Sequence, residues 1–216
     1  MKRGIVTLLA APIFLYASNI DILKVKGAAY SSLDKSSYEI LKRGPLRGDF
    51  VDIKIVGTGS AIAHIDPLYL SIGNSSLLSM DKKSVFLRKG SYYIYNDSML
   101  LEPMMIRVEG LRLKISSPVK ALFMVRESGC ELVIFEGDFE ETLSKTHFIK
   151  EQHYHLSDRK TKLLPFESNT YLLELLAAGL SVKNAHALIG KIVLSQKRTI
   201  SLSDDKNSLS KQIFEP

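Results

Sequence analysis

Cysteine is nearly absent: Cys130 is the only one among 216 residues. No internal disulfide can therefore form, and the fold must rest on its apolar core. Cys130 stands in Ser128-Gly129-Cys130-Glu131 at the head of a strand-like run. It reads as a small core or turn residue, because a nucleophilic thiol needs an ordered His and a thiolate-stabilising environment that the local sequence lacks. An intermolecular disulfide is left open. Concentrated charge is also missing. The chain has 29 basic and 23 acidic residues, a net of +6, and the basic ones occur singly or in pairs such as Lys42-Arg43, Lys82-Lys83 and Lys197-Arg198. No basic stripe interleaves with aromatics, which excludes nucleic acid as the expected partner.

Catalytic signatures are missing as well. No Gly-x-Ser-x-Gly occurs, and Gly57-Thr58-Gly59-Ser60 lacks both a third Gly at dinucleotide spacing and a following Gly-Lys-Ser/Thr, so it reads as a turn. The acidic pairs Asp34 with Glu39, Glu127 with Glu131, and Asp138 with Glu140-Glu141 fall at turn or edge positions, where carboxylates are solvated. No enzyme activity and no cofactor are expected. A secreted hydrolase is the least favoured reading.

What the chain does have is a distinctive start. Lys2 and Arg3 precede an apolar run from Gly4 to Tyr16, and Leu15-Tyr16-Ala17 leads into polar Ser18-Asn19. That layout is a secretory signal peptide with cleavage after Ala17. The run, about thirteen residues with Pro12 inside it, falls short of the roughly twenty needed to span a bilayer as a helix. A buried strand or an uncleaved anchor is the alternative. No later run approaches spanning length, so the mature chain is expected in the periplasm or secreted, without a stable membrane span.

From residue 18 to 164 the sequence reads as many short strands separated by Gly, Asp, Asn, Ser and Pro. Gly44-Pro45 reads as a turn; Phe50 to Val56 and Ala61 to Ile65 read as separate strands, as do Ser84 to Leu87 and Tyr92 to Tyr95. This spacing predicts a mainly β fold, either an antiparallel sandwich or barrel or a short β-solenoid. From 165 to 198 the period changes. Ser168 or Asn169 is placed to cap a first helix, Gly179 to end it, and Ser181 to cap a second with Val182, Ala185, Leu188, Ile189, Ile192 and Val193 along one side. A helical hairpin packed on the β body is expected, with a partner-binding surface as the alternative. Residues 199–216 are polar and read as a disordered tail.

Motif order in the β region resembles the FecR family of periplasmic β domains. Pro45-Leu46-Arg47-Gly48-Asp49, Val56-Gly57-Thr58-Gly59-Ser60-Ala61, Leu68-Tyr69-Leu70, Asn74-Ser75-Ser76-Leu77 and Phe86-Leu87-Arg88-Lys89-Gly90 follow that family's sequence of turns and strands. Ile115 to Ala121 and Val133 to Phe139 are similar to its later segments, and Glu151-Gln152 stands where Gly-Gln is usual. The resemblance covers roughly 22–156. It implies a binding or scaffold role in the envelope; the family's Arg-Gly-Thr, its membrane helix and its cytoplasmic domain have no counterpart in these motifs. Each Gly stands between two alternating runs, where positive φ permits reversal.

Two groups of side chains are candidates for a site. His147, His153 and His155 could supply ligands to a metal ion, with Glu151 as a further donor, since His153 and His155 share a strand face. Tyr154 and Leu156 look like the buried face, which predicts that both His side chains point to solvent. Tyr93 and Tyr95 share a face beside Tyr92 and form either a glycan- or peptide-contacting patch or a cross-strand packing pair. The expected function is a non-enzymatic exported domain that holds an envelope protein or glycan. The alternative is a metal- or small-ligand-binding protein centred on the three His. Oligomeric state is not legible in the sequence.

Overall fold

Three long strands bend rather than end, and those bends shape the molecule. The computed structural model describes residues 18–81, 84–98, 103–115, 118–157, 160–165 and 168–194. The proposed signal peptide and polar tail lie outside them. The strands are β1 Ser18–Ser32, β2 Glu39–Ile40, β3 Gly44–Gly48, β4 Phe50–Ile65, β5 Leu68–Ile72, β6 Leu77–Asp81, β7 Ser84–Asn96 and β8 Met104–Val108. They continue as β9 Leu111–Ile115, β10 Val119–Arg126, β11 Gly129–Glu136, β12 Asp138–Glu141, β13 His147–Ile149, β14 Gln152–Ser157 and β15 Lys160–Leu164.

The first half of β1 pairs with β3 and with the second half of β4, while its second half pairs with β2 and the first half of β4. The second half of β4 continues through β5 to residues 92–95 of β7, and the first half through β6 to residues 85–89. Two layers result. One runs β3-β1-β4-β5-β7-β10-β11-β14-β15, the other β2-β1-β4-β6-β7-β8-β9-β12-β13. Among the described residues only β7 with β8 pairs in parallel; this is a sandwich, not a solenoid.

Several turns expected from the sequence are therefore bends. Gly57-Thr58-Gly59 lies inside β4, opposite a register shift between Lys26 and Ala28 in β1. A Cβ on Gly27, which has φ +74, would sit 2.8 Å from the Gly59 Cα, so the two backbones cross where neither residue carries a side chain. β7 likewise runs unbroken through Gly90, and Gly44-Pro45 lies within edge strand β3, a position that tolerates proline because one side of its backbone needs no partner.

The inner faces make one apolar core. Phe123 of β10 meets Phe139 of β12 edge to face at 5.5 Å, and Phe148 of β13 meets Tyr154 of β14 at 5.0 Å. Cys130 is fully buried there. A second core forms on the outer face of the first layer, where Tyr93, Leu122, Met124, Val133 and Phe135 are covered by helices. Helix α1 is Ser168–Ala177; α2 occupies 182–194. The Gly179 and Leu180 amides close α1 onto the carbonyls of Leu176 and Leu175, and the Ser181 hydroxyl accepts from the Asn184 amide at 3.3 Å to cap α2. Ala185, Leu188, Ile189 and Ile192 face the sheet, the spacing of one helical face, whereas Val182 is exposed.

Candidate functional site

Because side chains alternate across a strand, register alone dictates which residues share the outer face. One cross-strand row on it runs Lys24, Ile62, Ser71, Tyr93, Leu122, Val133, His153 and Leu164. The neighbouring row runs His64, Tyr69, Tyr95, Lys120 and Glu136. The hairpin packs over the middle of the first row and leaves the second at its margin.

The second row is an aromatic stack. The rings of His64 and Tyr69 lie 4.4 Å apart, and those of Tyr69 and Tyr95 lie 4.8 Å apart with only 9° between their planes. Tyr93 joins at 5.8 Å and touches Phe135 at 6.4 Å. The Tyr69 to Tyr95 separation equals the spacing of neighbouring strands, so these rings stand upright and turn their faces to one another. What they offer outward is edges. Burial raises the pKa of the Tyr93 hydroxyl, with the carboxylate of Asp97 adding to it; Tyr95 is raised by burial and then by Tyr69. Both phenols stay neutral and act as hydrogen-bonding groups.

Beside this stack a cleft of about 430 Å³ opens between sheet and α2, lined by Tyr93, Tyr95, Ser71, Leu188, Asn184 and Lys191 among others. Lys120 stands at its rim, 3.0 Å from both Asp97 and Glu136. The Glu136 bond raises the Lys120 pKa despite partial burial, so the group is a fixed ammonium. No carboxylate pair or nucleophile with a base lines the cleft; its chemistry is hydrogen bonding, one ion-pair cluster and apolar contact.

The three His residues are not brought together. His147 is exposed on β13 of the second layer, paired with Glu140. His153 and His155 do share the outer face of the first layer, but His153 is not solvent-facing as the alternation predicted. It is 5 % exposed, beneath α1, with Nδ1 2.6 Å from the Tyr171 hydroxyl and 3.0 Å from the Pro165 carbonyl, and Nε2 3.2 Å from Glu131. Strand alternation named the correct face; only the helix above it removed the water. Among the described residues no group of three His, Cys, Asp or Glu is placed to hold a metal ion.

Of the candidates, Tyr93 and Tyr95 are brought to one site. Tyr93 is mostly hairpin core and Tyr95 is the half-exposed member. Sequence reasoning missed Tyr69, His64 and Ser71, whose only signal was period-two alternation in adjoining strands.

No family model matches the chain, and no curated protein is similar to it in sequence. One solved structure to which it is similar is a candidate anti-sigma factor from Parabacteroides distasonis ATCC 8503, at a TM-score of 0.46 and 9 % identity, over 57 % of this chain and 64 % of that one. The chain thus spans less than two thirds of that protein.

Proposed function

We propose that this protein is a non-enzymatic binding domain that works outside the cytoplasm, holding a segment of an envelope protein in the cleft between Tyr95 and α2. The observation that carries this reading is the cleft's make-up: an apolar floor with hydrogen-bonding groups at its margin and no catalytic couple. The signal-like residues 1–17 and the FecR-like order of motifs support an exported accessory or scaffold role. A protein segment fits better than a glycan. A sugar ring stacks on an exposed aromatic face, and here Tyr69 packs against both His64 and Tyr95, and Tyr95 against both Tyr69 and Tyr93.

The test is site-specific crosslinking in the native envelope. A photo-crosslinking side chain in place of Asn184 should give one defined protein adduct that Tyr95→Ala abolishes, while the same group at Lys160 should not. Failure to form an adduct from position 184, or glycan binding that depends on Tyr95, would overturn the reading.

A further inference from the structure

The cleft does not stop at the end of α2. It shares Ile62, Gly179 and Leu180 with a second cavity of about 440 Å³ on the far side of the hairpin turn. That cavity in turn shares Asn74 and Ala177 with a third, of about 580 Å³, reaching Ser91 and Arg126. Through these shared residues the three cavities adjoin one another as a groove around the base of the hairpin.

Its central part has two unlike walls. One is apolar: Leu176 and Leu180 are half-buried, and Leu173 is 68 % exposed although it is a leucine beside a cavity. The other carries Lys24 and Lys26 from β1 with Thr58 and Ser60 from β4. No acidic side chain lines this part, and among the described residues neither lysine forms an ion pair. At the two ends the acids are already engaged: Asp97 with Lys120, and Glu174 with Arg126 and the Ser91 hydroxyl. Glu127 is the one further carboxylate, at the third cavity, where Lys89 also lies.

We infer that this groove takes an extended acidic segment of a partner protein, with carboxylates set toward Lys24 and Lys26 and apolar side chains against Leu173, Leu176 and Leu180. The reasoning is charge complementarity beside an apolar wall: two exposed ammonium groups with no ion pair among the described residues favour an anion, and the leucines favour hydrophobic residues in the same ligand. A basic or purely polar segment leaves one wall unsatisfied. This inference rests on the binding-domain reading above and adds the chemistry of what is bound.

The experiment is selection of random dodecapeptides by display on the immobilised full chain, followed by anisotropy measurements with the selected peptides. Enriched sequences should combine Asp or Glu with Leu, Ile or Phe, and their affinity should fall with rising salt. Reversing both lysines (K24E with K26E) should weaken them by at least about tenfold, K24Q with K26Q should give a smaller loss, and lysine-substituted peptides should regain binding to the reversed protein. Both lysines are exposed, and circular dichroism checks that the variants fold. Selected peptides without acidic enrichment, or unaffected by lysine reversal but lost in Tyr95→Ala, would overturn the acidic-segment inference and leave the binding-domain reading standing. No selected peptide at all would overturn both.

Discussion

The hydroxyl of Tyr171 lies 2.6 Å from Nδ1 of His153, tying the first turn of α1 to strand β14 at a buried junction. Glu131 holds the other ring nitrogen at 3.2 Å. Nδ1 also lies 3.0 Å from the Pro165 carbonyl, so both ring nitrogens are engaged, and removing the phenolic oxygen takes a partner from a buried imidazole. Tyr171→Phe keeps the ring packing and should cost about 1–3 kcal/mol in urea unfolding. An unchanged midpoint would show that the bond contributes nothing.

At Gly73 the hairpin presses close against the sheet. A Cβ there would lie 2.9 Å from the carbonyl oxygens of both Ala177 and Ser91 and 3.0 Å from the Ala178 Cα. All three are backbone atoms, so rotamer changes cannot relieve the contact. Gly73→Ala should destabilise the protein by about 1–3 kcal/mol. Hydrogen exchange should locate the effect, with faster exchange of α1 and α2 amides and unchanged exchange in β8 and β9.

Burial pushes the Cys130 thiol well above its ordinary pKa, with the charges of Glu109 and Glu131 acting the same way, and the residue is fully buried. The folded protein should not react with an aromatic disulfide reagent at pH 8 over minutes, and denaturant should release one thiol per chain. Rapid native reaction, or a disulfide-linked dimer from folded protein, would contradict this placement.

Glu141 is buried at the head of the β12–β13 turn. Burial alone would raise its pKa, but hydrogen bonds from the backbone and hydroxyl of Ser144 and the backbone of Leu143 outweigh it and hold the carboxyl below its usual 4.5. A folded pKa below the unfolded one stabilises above 4.5 and loses that contribution as pH falls through the lower folded value. Glu141→Gln should therefore lower the melting temperature near neutral pH, and the gap to wild type should narrow in acid. A gap that stays constant with pH would assign the loss to packing.

The candidate site was legible in the sequence only in part. Tyr93 and Tyr95 were identifiable because alternation within one strand puts them on one face, and the hairpin because Gly179 and Ser181 are local stop and start signals. Tyr69, His64, Lys24 and Lys26 belong to strands distant in sequence, and only register brings them beside that pair. His153 shows the same limit from the other side: its face was readable, its cover was not.

The sequence by itself determined the mainly β character, the stop of α1 near Gly179 and the start of α2 at Ser181, and the absence of disulfide support, since propensity, capping and cysteine count are properties of a few adjacent residues. Only the tertiary structure decided whether a glycine such as Gly57 or Gly90 reverses the chain or bends it, because that depends on whether strands on both sides can continue the hydrogen-bond ladder. It also decided that one outer face is covered by helices over Tyr93 and His153 yet left open beside Tyr95, Lys24 and Lys26. Burial is a relation between distant segments, and no local pattern encodes which segment arrives.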